Sequence, residues 1–163
     1  DLSGETPVIL RPGGVTREQL EEVLGPVKVD PGNCDPGETP QAPGMKYTHY
    51  SPEADVFIVE GKEDLADKVI AVFHRLAQEG KKVALLLSEE TGREVMGRVT
   101  PCYLEILGSR RDLSLVAHRL FSSLRRSDLY GADIVLIEAF PDQGMGAAVM
   151  NRIRKAAGNQ VIN

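Results

Sequence analysis

The sequence predicts an α/β fold: a small Rossmann-like three-layer domain with a mostly parallel sheet of about four or five strands, preceded by an extended linker. Three observations carry that reading. After Pro52, short runs of branched apolar residues alternate with longer stretches whose apolar residues recur at helical spacing. The run Val83-Ala84-Leu85-Leu86-Leu87 is apolar without interruption, as befits a parallel strand covered on both faces. From Pro26 to Pro52, six prolines and three glycines displace the branched apolar side chains, a composition that interrupts regular structure. Alternating β and α units of this kind build a parallel sheet between layers of helices.

The elements follow in order. Pro7 to Arg11 reads as a strand stopped by Pro12-Gly13-Gly14. No neighbouring strand is apparent, so its partner is expected upstream. Thr16 is a good helix N-cap with Gln19 three residues on as the capping-box partner, and Leu20, Val23 and Leu24 make an apolar face that ends at Gly25-Pro26. Val56 to Val59 is the next strand. Lys62 to Gln78 is a helix with Leu65, Val69, Val72, Phe73 and Leu76 on one side. Val83 to Ser88 is a strand, Glu89 to Met96 a short helix and Tyr103 to Leu107 a third strand of the domain. Leu113 to Leu124 is a helix, Ala132 to Ala139 a strand and Gly146 to Ala157 the last helix. The expected organisation is therefore 1–25 as the end of a preceding domain, 26–54 as linker and 55–163 as the Rossmann-like domain.

Composition excludes several classes. The chain has 163 residues, 42% of them hydrophobic, with a formal net charge of −5. Those values suit a folded globular chain rather than a disordered one, and the acidic excess argues against an extensive nucleic-acid surface. No apolar run approaches the ~20 residues that a membrane helix needs, and the polar N-terminus does not read as a signal peptide. A cytoplasmic location with reduced thiols is the expectation. Cys34 and Cys102 suggest no disulfide framework, and the three histidines and two cysteines lack metal-binding spacing, so no metal site is expected.

Side chains able to do chemistry concentrate in the linker, in Pro43-Gly44-Met45-Lys46-Tyr47-Thr48-His49-Tyr50-Ser51-Pro52. A cation, two phenols and an imidazole fall within five residues between stiffening prolines. Extended backbone puts Lys46, Thr48 and Tyr50 on one side and Tyr47 and His49 on the other. The simpler alternative has the tyrosines merely anchoring the linker to its own domain. Arg11, at a strand end, suits a phosphate or plain solvation. Gln143-Gly144-Met145-Gly146 follows a strand and opens a helix, but it is neither GxGxxG nor a Walker loop and reads better as a close-packing turn. His74 and His118 fall at helical surface or core-edge positions. No catalytic constellation emerges from spacing, so the chain by itself is expected to be inactive and to hold no tightly bound cofactor.

Three segments together carry a resemblance. Pro7 to Gly14 resembles the closing strand of the YrdC-like catalytic domain of threonylcarbamoyl-AMP synthases. Pro43 to Pro52 resembles the linker signature of their two-domain form, and Gly144 to Ala156 is similar to its C-terminal helix motif. The resemblance covers essentially the whole chain and implies an accessory C-terminal region without its catalytic domain. The implied parent is an L-threonylcarbamoyladenylate synthase, a nucleotidyltransferase that joins L-threonine, bicarbonate and ATP, with Mg²⁺ expected, into threonylcarbamoyl-AMP and pyrophosphate. The product serves threonylcarbamoyladenosine modification of tRNA through partner proteins. By the same resemblance, Arg11, Lys46, Tyr47, His49 and Tyr50 are the implied nucleotide- or intermediate-binding residues. The linker is the implied lid, and the chain's own YrdC-like domain the implied partner. Ala42 stands where many relatives carry serine.

Two other classes stay open at this level. The α/β domain can be an independent nucleotide or small-ligand module, binding at the carboxyl edge of its strands. Alternatively it docks RNA or modification partners through Arg110, Arg111, Arg125 and Arg126, a weak and unspecific RNA contact.

Overall fold

The computed structural model describes residues 1–30, 52–61 and 63–162. The main body is a five-stranded sheet of β3 (Asp55–Val59), β4 (Val83–Ser88), β5 (Tyr103–Gly108), β6 (Ile134–Glu138) and β7 (Val161–Ile162), in the spatial order β5-β4-β6-β3-β7. Every pairing in it is parallel. The helices α2 (Leu65–Gln78), α3 (Glu89–Val95), α4 (Leu113–Leu129) and α5 (Met145–Ala156) supply the crossovers that parallel strands require.

The period of two in each strand divides the core. Val56, Ile58, Ala84, Leu86, Val135 and Ile137 face α4 and α5. Val59, Val83, Leu85, Leu87 and Leu136 face α2 and α3. β4 is therefore buried at all six positions, which is why it reads as one continuous apolar run. Apolar faces on both sides of the sheet and on all four helices give the predicted three-layer Rossmann-like architecture.

Ahead of this body lie β1 (Val8–Ile9), α1 (Arg17–Leu24) and β2 (Lys28–Val29). The expectation that the first strand has no partner within the chain is corrected here. β1 pairs in parallel with β2, Val8 opposite Lys28 and Ile9 opposite Val29. α1 is the crossover between them, opened by the expected capping box: Thr16 Oγ accepts the Gln19 N–H and the Gln19 side chain accepts the Thr16 N–H. β2 lies inside the Pro-rich stretch 26–54, and Val27 beside it is only 3% exposed. Pro26 masked this strand because two residues carry too little periodicity to read.

Three further differences have local causes. α2 starts at Leu65 rather than Lys62, after Asp64. α4 runs on past Leu124 to Leu129 because Ser127 still points inward and Gly131, at φ 65°, then ends the run. β7 was not anticipated; it is a two-residue strand that pairs with Ile58 and Val59 after the Gly158–Asn159 turn.

Candidate functional site

Chains leaving β3 and β4 turn to the α2/α3 face, whereas those leaving β5 and β6 turn to the α4/α5 face. The loops therefore part around the carboxyl end of β6, and such a parting is where open α/β sheets form ligand crevices. β6 ends in Glu138, an acid at the close of four apolar residues. Its side chain is fully buried. Glu138 Oε2 accepts the backbone N–H of Ser88, at the end of β4, at 2.9 Å. Oε1 accepts Arg110 Nε at 2.8 Å. One carboxylate thus ties the ends of two central strands to the loop after β5.

That loop is pinned a second time. Glu90, in the first turn of α3, accepts Ser109 Oγ at 2.7 Å and the Arg110 N–H at 3.1 Å. Partial burial pushes the Glu90 carboxyl up, but the hydrogen bonds from Ser109 and from the Arg110 backbone outweigh it and hold the group at about 2. Ser88 caps α3 by accepting the Thr91 N–H, and Thr91 Oγ1 accepts Arg110 Nη2. Arg110 is therefore held at the outer edge of a hydrogen-bonded polar cluster. Before it opens a cleft of about 820 Å³, bordered by Glu60, Asp64, Lys68, Arg110 and Phe140.

The turn after β6 behaves as a packing element. A Cβ added to Gly146 would lie 1.7 Å from the Pro141 carbonyl oxygen, so α5 approaches the strand exit more closely than any side chain permits. The loop from Pro141 to Gly144 borders the large cleft on one side. On the other it borders a smaller cavity of about 250 Å³ against Ile9, Pro12 and Thr16.

Of the residues singled out by sequence, Arg11 is exposed just beyond β1. It lies near Arg152 of α5, whose guanidinium is depressed by burial and then by the Arg11 charge; Arg152 donates to the Ala148 carbonyl at 3.1 Å. Two cations that sequence placed 141 positions apart are thus neighbours. Lys46, Tyr47, His49 and Tyr50 lie outside the described residues. The four arginines read as an RNA surface are not equivalent. Arg110 is engaged with Glu138, and Arg126 sits 3.6 Å from Glu105. Glu105 also accepts the Tyr103 hydroxyl; burial, then that carboxylate, pushes the phenol up to about 12. His74 and His118 are both exposed. Among the described residues no group of three or more His, Cys, Asp or Glu is placed to hold a metal ion, and no helix is long and apolar enough to cross a membrane.

The Glu138–Arg110–Glu90 cluster escaped the sequence reading. Its signal was present: an acid ending an otherwise wholly apolar central strand is out of place unless something pairs with it.

Comparison with known proteins gives a consistent picture. The family model "Threonylcarbamoyl-AMP synthase, C-terminal domain" matches residues 15–158. A threonylcarbamoyl-AMP synthase of Bacillus subtilis is 43% identical over 158 residues, covering 97% of this chain and 44% of the relative. That of Pyrococcus abyssi is 37% identical, covering 99% and 45%. The chain thus spans less than half the length of these relatives. The crystal structure of the P. abyssi Sua5 protein complexed with L-threonine superposes with a TM-score of 0.86 at 36% identity, over 99% of this chain and 45% of that one. A C-terminal Sua5 domain from Pyrococcus horikoshii gives 0.52 at 30% identity, over 69% of this chain and 98% of that one. The family model's match over residues 15–158, which takes in α1 and the Rossmann-like body through α5, assigns this chain to the threonylcarbamoyl-AMP synthase C-terminal-domain family.

Proposed function

We propose that this chain is the accessory C-terminal region of a cytoplasmic L-threonylcarbamoyladenylate synthase, and that the segment from Lys46 to Tyr50 is the lid of its catalytic cleft. In this reading the YrdC-like domain joins L-threonine, bicarbonate and ATP, with Mg²⁺, into threonylcarbamoyl-AMP and pyrophosphate for tRNA modification. The chemical need is clear: threonylcarbamoyl-AMP is a reactive mixed anhydride, and a closed segment that excludes water prolongs its life. Lys46, Tyr47, His49 and Tyr50 supply one cation and three hydrogen-bonding rings for that closure, and Arg11 adds a guanidinium for the nucleotide.

The observation that carries the reading is the anchoring of the segment's far end. Asp128 Oδ1 accepts the N–H groups of Glu53 and Ala54 at 3.0 and 3.4 Å, just before β3 enters the centre of the sheet. A lid needs one end fixed to something rigid, and the Rossmann-like body provides it.

The test is complementation in trans. The chain is mixed with the separately made YrdC-like domain, and pyrophosphate release dependent on ATP, L-threonine and bicarbonate is assayed. Turnover raised by the chain, and lost with Tyr50→Phe or His49→Ala, is the expected result. Turnover indifferent to the chain and to both substitutions would overturn the lid.

A further inference from the structure

We propose that the cleft at the carboxyl edge of the main sheet is a binding site for a small molecule with a single oxyanion group, a carboxylate or a phosphate monoester, clamped by Arg110. The proposal does not rest on the lid. Its first support is position: the cleft opens where the loops leaving β3, β5 and β6 diverge, the place where parallel α/β sheets bind ligands. Its volume of about 820 Å³ lies within the usual range of ligand pockets. Leu65, Ala139 and Phe140 give it apolar lining, and charged groups lie at its rim.

The second support is the way Arg110 is held. Its Nε and Nη2 are committed to Glu138 and Thr91, and its backbone N–H to Glu90. Nη1 bonds to none of the described residues. The side chain is 31% exposed while its partner Glu138 is 0% exposed. A buried carboxylate paired with arginine adds little stability over an apolar pair of the same volume. What the arrangement does provide is an arginine of fixed orientation whose Nη1 meets none of the described residues and can donate to a planar or tetrahedral oxyanion.

The third support sets the ligand's charge. Among the described residues that line the cleft away from Arg110, Glu60 and Asp64 outnumber Lys68, whose ammonium is 3.5 Å from Asp64 and 3.2 Å from the Glu60 carbonyl. A polyphosphate would meet these carboxylates. A molecule with one oxyanion on Arg110 and an amino or hydroxyl group toward Glu60 and Asp64 matches both sets of groups.

The test uses the whole 163-residue chain, with AMP, ATP, L-threonine and acetate each added up to about 10 mM and followed by backbone amide NMR shifts. Saturable shifts centred on Arg110 and Ala139 with AMP identify the phosphate-monoester arm; the same with L-threonine or acetate identifies the carboxylate arm. The paired substitution Arg110→Met with Glu138→Leu replaces the ion pair by apolar groups but also takes the acceptor from the buried Ser88 N–H. It is expected to lower the melting temperature while the fold is kept, and to weaken binding at least about tenfold. Arg110→Lys, which keeps the charge but not the fork, is expected to weaken it as well. Shifts confined to the surroundings of Arg11 or His49, binding unchanged in both variants, ATP binding as tightly as AMP, or no shift with any probe would each overturn the assignment.

Discussion

Asp128 reaches across 75 positions of sequence to accept the backbone N–H of Glu53 at 3.0 Å. Its Oδ1 also accepts the N–H of Ala54 at 3.4 Å, so the last turn of α4 fixes the point at which the chain enters the central sheet. Removing that acceptor leaves two amides to water and frees the start of β3. Asp128→Ala is expected to lower unfolding stability by roughly 1 kcal/mol and to speed hydrogen exchange at Glu53 and Ala54, with Phe57 and Ile58 unaffected. Urea denaturation with site-resolved exchange checks both; unchanged exchange at Glu53 would show that the anchor does not hold.

Gly146 permits the close approach of α5 to the loop after β6. A methyl group there would fall within bonding distance of the Pro141 oxygen, 1.7 Å away, and backbone cannot yield as a flexible side chain does. Gly146→Ala is expected to destabilise by about 3 kcal/mol, whereas Gly144→Ala meets no atom and carries only the strain of its φ of 54°. Paired denaturation curves would separate the two. Equal, small effects would mean that the helix shifts freely.

Glu90 gives a pH signature. Its folded carboxyl is held at about 2 against an ordinary value of 4.5, so between these values the unfolded chain takes up a proton that the folded chain refuses. The stabilisation is complete above pH 4.5 and disappears as pH falls toward 2. Glu90→Gln turns an amide N–H₂ toward a donor. It is expected to be less stable than the parent by about 2 kcal/mol at neutral pH, the gap narrowing as the solution is acidified through that window. A gap independent of pH would remove Glu90 as the titrating group.

Much of this arrangement was legible beforehand. Burial on both faces made β4 an unbroken apolar run, and the spacing of Leu65, Val69, Val72, Phe73 and Leu76 marked α2. β2 and β7 were illegible because two residues show no period. The Glu138–Arg110 pair joins positions 28 residues apart, and only the crossover through α4 makes them neighbours. Local sequence could show that Glu138 was anomalous, but not what would neutralise it.

By itself, then, the sequence determined the longer strands and the helices, since hydrophobic period and turn chemistry are local properties. It also determined the family, because the linker and last-helix motifs are contiguous. The tertiary structure alone decided the partner of β1, the neighbour of Arg11 and the cluster that orients Arg110. Those depend on strand order, and strand order follows from how whole layers bury their faces against one another.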